Sequence, residues 1–320
     1  MSVPPWFTGP LIKFQRATAI AAVIGQAGIA VTGSIVRVTG SGLGCPTWPE
    51  CVEGSLTPVA HPEVGPLHQW VEFGNRTLTG LIGVIAGLCL LAAWFHLPRR
   101  RRVVVLSLVQ LGGVALQAVI GGITVLTGLL WWTVSVHFIV SMGLVWMAVL
   151  LVRALSEGDE PATPLLPRPL LALQKVQAGV LLLLLLAGTF VTAAGPHAGD
   201  ASTPRLQVSV ETLSQVHADL LFLFLGMLTA LGFAVRAHTN DPVLWRRYLI
   251  LVGVVLAQGA LGMVQYWTGV PEVLVSVHVL GAGTVVVATA AFWVATRTRG
   301  ETRGASAPQH GTEAPRVLVN

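Results

Sequence analysis

Charged residues are scarce in this chain of 320: Asp, Glu, Lys and Arg make up 10% and hydrophobic residues 53%, a ratio that water-soluble globular domains do not carry. An ordinary soluble domain is excluded, and lipid becomes the expected solvent. Aromatic residues are also few, at 7%, yet ten of them are Trp. Trp6, Trp48, Trp70, Trp131, Trp132 and Trp267 stand at or near the ends of apolar runs, as interfacial anchors do. A glycine loop followed by Lys and Ser or Thr, the cradle for nucleotide phosphates, is absent. So is any serine, histidine and acid set that apolar helices would assemble into a hydrolase site.

A bilayer core of roughly 30 Å takes about 20 apolar residues per helix. Eight stretches meet that need, at 16–38, 70–95, 103–127, 132–155, 173–194, 210–237, 247–268 and 274–296. The first follows Lys13 and Arg16 as a signal peptide would, but it is long and no convincing small-residue cleavage site follows it, so it reads as a retained helix. With both termini cytoplasmic, all but three of the 19 Lys and Arg fall on that side; Arg37, Arg76 and Arg205 fall outside. The pI of about 9.7 then reflects membrane orientation, and no nucleic-acid partner is expected. Residues 298–320, rich in Gly, Ala, Pro and polar side chains, read as a disordered cytoplasmic tail.

Laid against itself with a shift of 141 residues, the chain matches Gln117, Gly121, Thr127 and Gly128 to Gln258, Gly262, Thr268 and Gly269. The tetrapeptide Val134, Ser135, Val136, His137 falls on Val275, Ser276, Val277, His278. The expected fold class is all-α, with eight transmembrane helices as two tandem pseudo-symmetric four-helix bundles. The halves are 1–156 and 173–297, joined by a cytoplasmic linker at 157–172 containing Glu157, Asp159, Glu160, Pro161, Pro164 and Pro167. Four helices per half make the repeats parallel.

His137 and His278 lie at the same place in the repeat, a few residues inside the outer ends of the fourth and eighth helices. Intramembrane polar side chains are costly, so a role facing the bundle interior is the default reading. His217 sits near the outer end of the sixth helix, at a depth that lets it meet His278, the arrangement that clamps a heme iron from two sides. The bland alternative is that each histidine hydrogen-bonds a neighbouring helix. In the first half the repeat partner of His217 is Asn75, a poor iron ligand. That half offers His137 alone and leaves one face of a bound heme open.

Glu72 lies one turn before Asn75 and Arg76, where a carboxylate is expensive unless paired or used. An ion pair with Arg76 and a chemical role are both open readings, and His68, four residues earlier, stands at the rim. Outside the membrane, Cys45 and Cys51 lie between Pro and Gly turns on an oxidising face, which suggests a local disulfide. A rival reading groups Cys45, Cys51, His61 and His68 as a metal site, though the spacing fits no common zinc pattern. Cys89 reads as structural. In the second half Gly195, Pro196, His197, Ala198, Gly199 and Asp200 stand where the cysteine loop would be, and read as a turn.

With its Gly-Ser-Gly-x-Gly-Cys stretch ending at Cys45, the second cysteine Cys51, the Glu72 segment and histidines at 137, 217 and 278, the chain resembles the heme A synthases over nearly all its membrane part. The resemblance implies oxidation of a ring methyl of heme O to the formyl group of heme A for cytochrome oxidase, through successive hydroxylations and loss of water. It implies a heme b between His217 and His278, substrate heme O at His137, Glu72 as a catalytic acid, and a Cys45–Cys51 disulfide near that site. It further implies heme O synthase and cytochrome oxidase assembly factors as partners, in the plasma membrane with the heme sites extracytoplasmic. The departure is Asn75, where many members carry a histidine in Glu-x-x-His-Arg. A non-enzymatic diheme electron carrier and a heme-transfer assembly protein are the alternatives. Oligomeric state is not readable.

Overall fold

The structure is a computed structural model that describes residues 5–59 and 65–300. His61 and the tail from 301 onward lie outside the described residues. Eight helices follow one another: α1 (Pro5–Val38), α2 (Pro66–Phe95), α3 (Arg101–Leu126), α4 (Trp131–Ser156), α5 (Arg168–Ala194), α6 (Val210–His238), α7 (Pro242–Trp267) and α8 (Glu272–Ala295). All eight are long and apolar enough to cross a bilayer, so this is a multi-pass membrane protein.

Side-chain direction is inverted relative to a soluble protein. Ile24, Val84, Phe222, Phe233 and Val273 point outward, while Gln26, Gln110, Gln174 and Gln177 are buried. Gln26 Nε2 donates to Gln110 Oε1 at 3.2 Å, and Gln110 Nε2 donates to the Leu144 carbonyl at 3.0 Å, tying α1, α3 and α4 together. In hydrocarbon such bonds hold helices together where apolar burial cannot.

Several helices outrun the apolar stretches that announce them. α1 begins before Lys13, α5 begins at Arg168 inside the stretch expected as linker, and α7 begins at Pro242. A span needs hydrocarbon only in its middle; its ends continue into the polar interface, where caps decide the boundary. Asp241 caps α7 by accepting from Val243 N and Leu244 N, and Ser209 caps α6 by accepting from Thr212 N.

In the first half, α1 packs on α2 and α4, and α3 closes the ring between them. Small residues dominate one cluster of its interior, Ala19, Ala22, Ala93, Ala148 and Ala154 beside buried Cys89, Val103 and Leu151, which lets the helices approach closely. The second half joins α5 to α6 and α7 to α8 around Phe224, Leu231, Leu251 and Phe292. Between halves, α8 lies on α1 and α4, and α4 touches α5. The start of the expected tail is ordered: Thr163–Pro164 (β1) pairs antiparallel with Arg297–Thr298 (β2). Leu165 N donates to Thr296 O at 2.9 Å and Gly158 N to Gly300 O at 3.0 Å, so the linker clasps the end of α8.

Candidate functional site

His217 from α6 and His278 from α8 face each other with ring centres 6.4 Å apart and planes tilted by 58°. Two imidazoles bound to one metal through nitrogens about 2 Å from it, on opposite sides, place their ring centres roughly 6 to 6.5 Å apart. The pair therefore fits a bis-histidine iron site. His217 Nδ1 donates to the Leu184 carbonyl at 3.0 Å, which fixes the ring and leaves Nε2 for a metal. His278 Nδ1 is buried without a partner. Glycine seats both rings: a Cβ on Gly188 would stand 3.1 Å from His217 Cε1, and one on Gly262 3.0 Å from His278 Cε1.

The first half repeats this arrangement around His137. Gln117 Nε2 donates to the His137 carbonyl at 3.0 Å, as Gln258 Nε2 does to the His278 carbonyl at 2.9 Å. A Cβ on Gly121 would lie 3.3 Å from His137 Cε1, the counterpart of Gly262. The turns leading into α4 and α8 match in backbone too, with positive φ at Gly128 and Leu129 and again at Gly269 and Val270. A non-glycine residue at positive φ costs energy, so its recurrence marks a turn that each half needs in order to aim its histidine.

The fourth position differs. Asn75 Oδ1 accepts from Thr32 Oγ1 at 2.7 Å, so the amide is bonded to α1. Ala27-Gly28-Ile29-Ala30-Val31-Thr32 in α1 matches Ala187-Gly188-Thr189-Phe190-Val191-Thr192 in α5, yet a Cβ on Gly28 would meet nothing within 4 Å. The glycine that seats a ring in the second half faces open space in the first.

Glu72 is buried and both its oxygens are engaged. Oε2 accepts from Cys45 N at 2.6 Å, and Oε1 accepts from Arg76 Nη2 at 2.6 Å and Nε at 3.1 Å. Arg76 in turn donates to the carbonyls of Cys45, Thr47 and Glu50 at 2.5, 2.9 and 3.1 Å. The pair thus nails the cysteine loop to α2. Cys45 and Cys51 are joined in a disulfide, so neither is free to bind a metal. Among the described residues, no group of three or more His, Cys, Asp or Glu is placed to hold a metal ion. Gly44 sits on the backbone of His68 and Gln69, where no Cβ fits. Trp48 lies against Gly122, next to the glycine that seats His137, so the loop roofs the first-half site.

His68 is exposed on the first turn of α2 and is not drawn into the site. His197 Nε2 donates to the Val270 carbonyl at 2.9 Å, in keeping with a turn rather than a ligand. Sequence reasoning passed over Arg37. Its Nε donates to His197 O at 2.6 Å and its Nη2 to Thr192 O at 2.8 Å, while Gly42 N donates to Gly199 O at 2.8 Å. These bonds tie the two halves together at the histidine end of the bundle. Only the placement of Arg37 on the outer side hinted at them, since backbone acceptors leave no trace in a sequence.

Residues 16–290 match the profile of the cytochrome oxidase assembly protein family. A heme A synthase of Staphylococcus aureus is 24% identical over 266 residues, 78% of this chain and 84% of the relative. One of Staphylococcus haemolyticus is 22% identical over 272 residues, 82% and 88% of the two chains. A third, of Lysinibacillus sphaericus, is 34% identical over 131 residues, with 41% of each chain covered.

Proposed function

The chain belongs to the cytochrome oxidase assembly protein family, and from that premise we propose that it is a heme A synthase. It oxidises a ring methyl of heme O to a formyl group at a site in the first half, served by a heme b site in the second. The observation that carries this reading is the repeated seat: glutamine on the histidine carbonyl, glycine under the ring and a turn with positive φ, around His137 and again around His278.

In the second half, His217 and His278 would hold a heme b, which would supply one-electron transfer there. Gln258 fixes the backbone of His278, and Leu184 fixes the tautomer of His217. In the first half, His137 takes the substrate heme O from one side. Asn75, bonded to Thr32, leaves the opposite face clear, which suits oxidation of a ring methyl better than a face blocked by a second imidazole. Glu72 and Arg76 hold the disulfide loop over that site, exclude water and supply the buried acid. Both sites lie toward the extracytoplasmic ends of the helices, with the linker and both termini cytoplasmic. The domain roles follow: 1–156 handles substrate and 173–297 handles electrons.

The test is chromatography and mass analysis of hemes extracted from membranes that make the protein together with a heme O source. Heme A or its hydroxylated precursor is expected, and is lost in His137→Ala. Glu72→Gln is expected to abolish turnover while the His217 and His278 heme stays bound. Recovery of unmodified hemes alone from folded, heme-loaded protein with oxygen and a reductant would end the synthase reading in favour of a carrier.

A further inference from the structure

At the end of the molecule opposite the histidines lies a cavity of about 570 Å³ between α3, α4 and the β1–β2 clasp. Arg101, Arg102, Arg297 and Arg299 line it, with Asp159 as its one acid, and Val105, Leu106 and Leu150 form an apolar wall. Of the nearby carboxylates two are already committed, while Glu160, beside Gly300, forms no ion pair among the described residues and its carbonyl accepts from Arg299 Nη1 at 2.8 Å. Glu157 takes Arg102 at 2.6 Å and Arg153 at 2.7 Å, and Asp159 takes Arg100 at 2.9 Å. Arg101, Arg297 and Arg299 have no carboxylate partner among the described residues.

The Nε atoms of Arg297 and Arg299 are moreover buried with no hydrogen-bond acceptor. Buried guanidinium donors are costly to leave unmet. Burial, then the positive charges of Arg102 and Arg299, hold the Arg297 guanidinium below its ordinary pKa. An anion in the cavity would satisfy the orphaned donors and relieve that crowding.

We infer that this cavity binds the phosphodiester headgroup of an anionic phospholipid, with the guanidinium forks on the phosphate and the first acyl carbons along Val105, Leu106 and Leu150. Arginine suits this role because its fork matches phosphate oxygens in pairs. The apolar wall favours a lipid over free phosphate, because it continues the surface that α3 and α4 present to hydrocarbon. Cavities of this size take a headgroup-sized ligand.

The experiment is native mass spectrometry of the full-length protein in detergent, titrated with phosphatidylglycerol and, separately, with phosphatidylcholine of the same acyl chains. Retention of the anionic lipid over the zwitterionic one is expected. Arg101→Gln and Arg299→Gln should each weaken it about fivefold, the order for one basic side chain at an anionic headgroup. Neither arginine is ion-paired, and a melting curve confirms that each variant is folded. Equal retention of both lipids, or full retention by both variants, overturns the assignment. Displacement by millimolar inorganic phosphate would also overturn it, and assign the arginines to a free anion.

Discussion

Four glycine positions grade the seating of the histidine rings, and the grading can be measured. A Cβ at Gly262 would lie 3.0 Å from its ring, at Gly188 3.1 Å and at Gly121 3.3 Å, whereas at Gly28 it meets nothing. Overpacking a tight site costs about 1–3 kcal/mol. Alanine at 262 or 188 is therefore expected to displace the ring and lower heme content in the second half, alanine at 121 to do so more mildly in the first, and Gly28→Ala to be tolerated. Pyridine hemochrome content per protein checks the order; an equal loss at Gly28 would remove the seating role. The open space at Gly28 also makes Asn75→His informative. The new imidazole has room against α1, so the substrate heme should gain a second protein ligand, seen as a low-spin signal by electron paramagnetic resonance, and turnover should fall.

The cysteine loop is held twice, by its disulfide and by Arg76. Closing so short a loop contributes about 2 kcal/mol by restricting the unfolded segment. Arg76 meanwhile supplies three carbonyl contacts and the Glu72 pair. Cys51→Ser is accordingly expected to lower heme A yield without abolishing it and to leave the His217 and His278 spectrum unchanged, whereas Arg76→Leu should abolish turnover. If both variants fell alike, the disulfide would be as necessary a fastening as Arg76. At the other end Glu157, 2% exposed, joins Arg102 of α3 to Arg153 of α4. Breaking a buried ion pair from one side costs about 3–5 kcal/mol, and the partial exposure of these arginines reduces it here to about half. Glu157→Gln is thus expected to lower the melting temperature with the heme spectra unaltered.

Across the whole molecule, what the sequence revealed was what hydrocarbon and repetition dictate. Eight spans follow from apolar runs of bilayer length, and the equivalence of His137 and His278 follows from a shared tetrapeptide with its matching Gln and Gly. The repeat match already contained Gln117, Gln258, Gly121 and Gly262, but their roles required the geometry, because a bond to a backbone carbonyl or a missing Cβ has no side-chain partner to spell out. The same reason hid the β1–β2 clasp, which is made of main-chain bonds between segments that read as linker and tail. It hid Arg37 too, which joins the halves on the histidine side through the carbonyls of Thr192 and His197. Charge-assisted bonds of that kind contribute about 1.5–3 kcal/mol each. If electrons pass from the second half to the first, this junction sets how the two sites face each other. Arg37→Leu is therefore expected to slow heme O oxidation while each half keeps its heme. Arg37→Lys, whose single ammonium lacks the fork that spans both carbonyls, should restore only part of the rate. Stopped-flow reduction of the two hemes, followed separately, checks this: unchanged transfer between them in Arg37→Leu would confine the residue to stability alone.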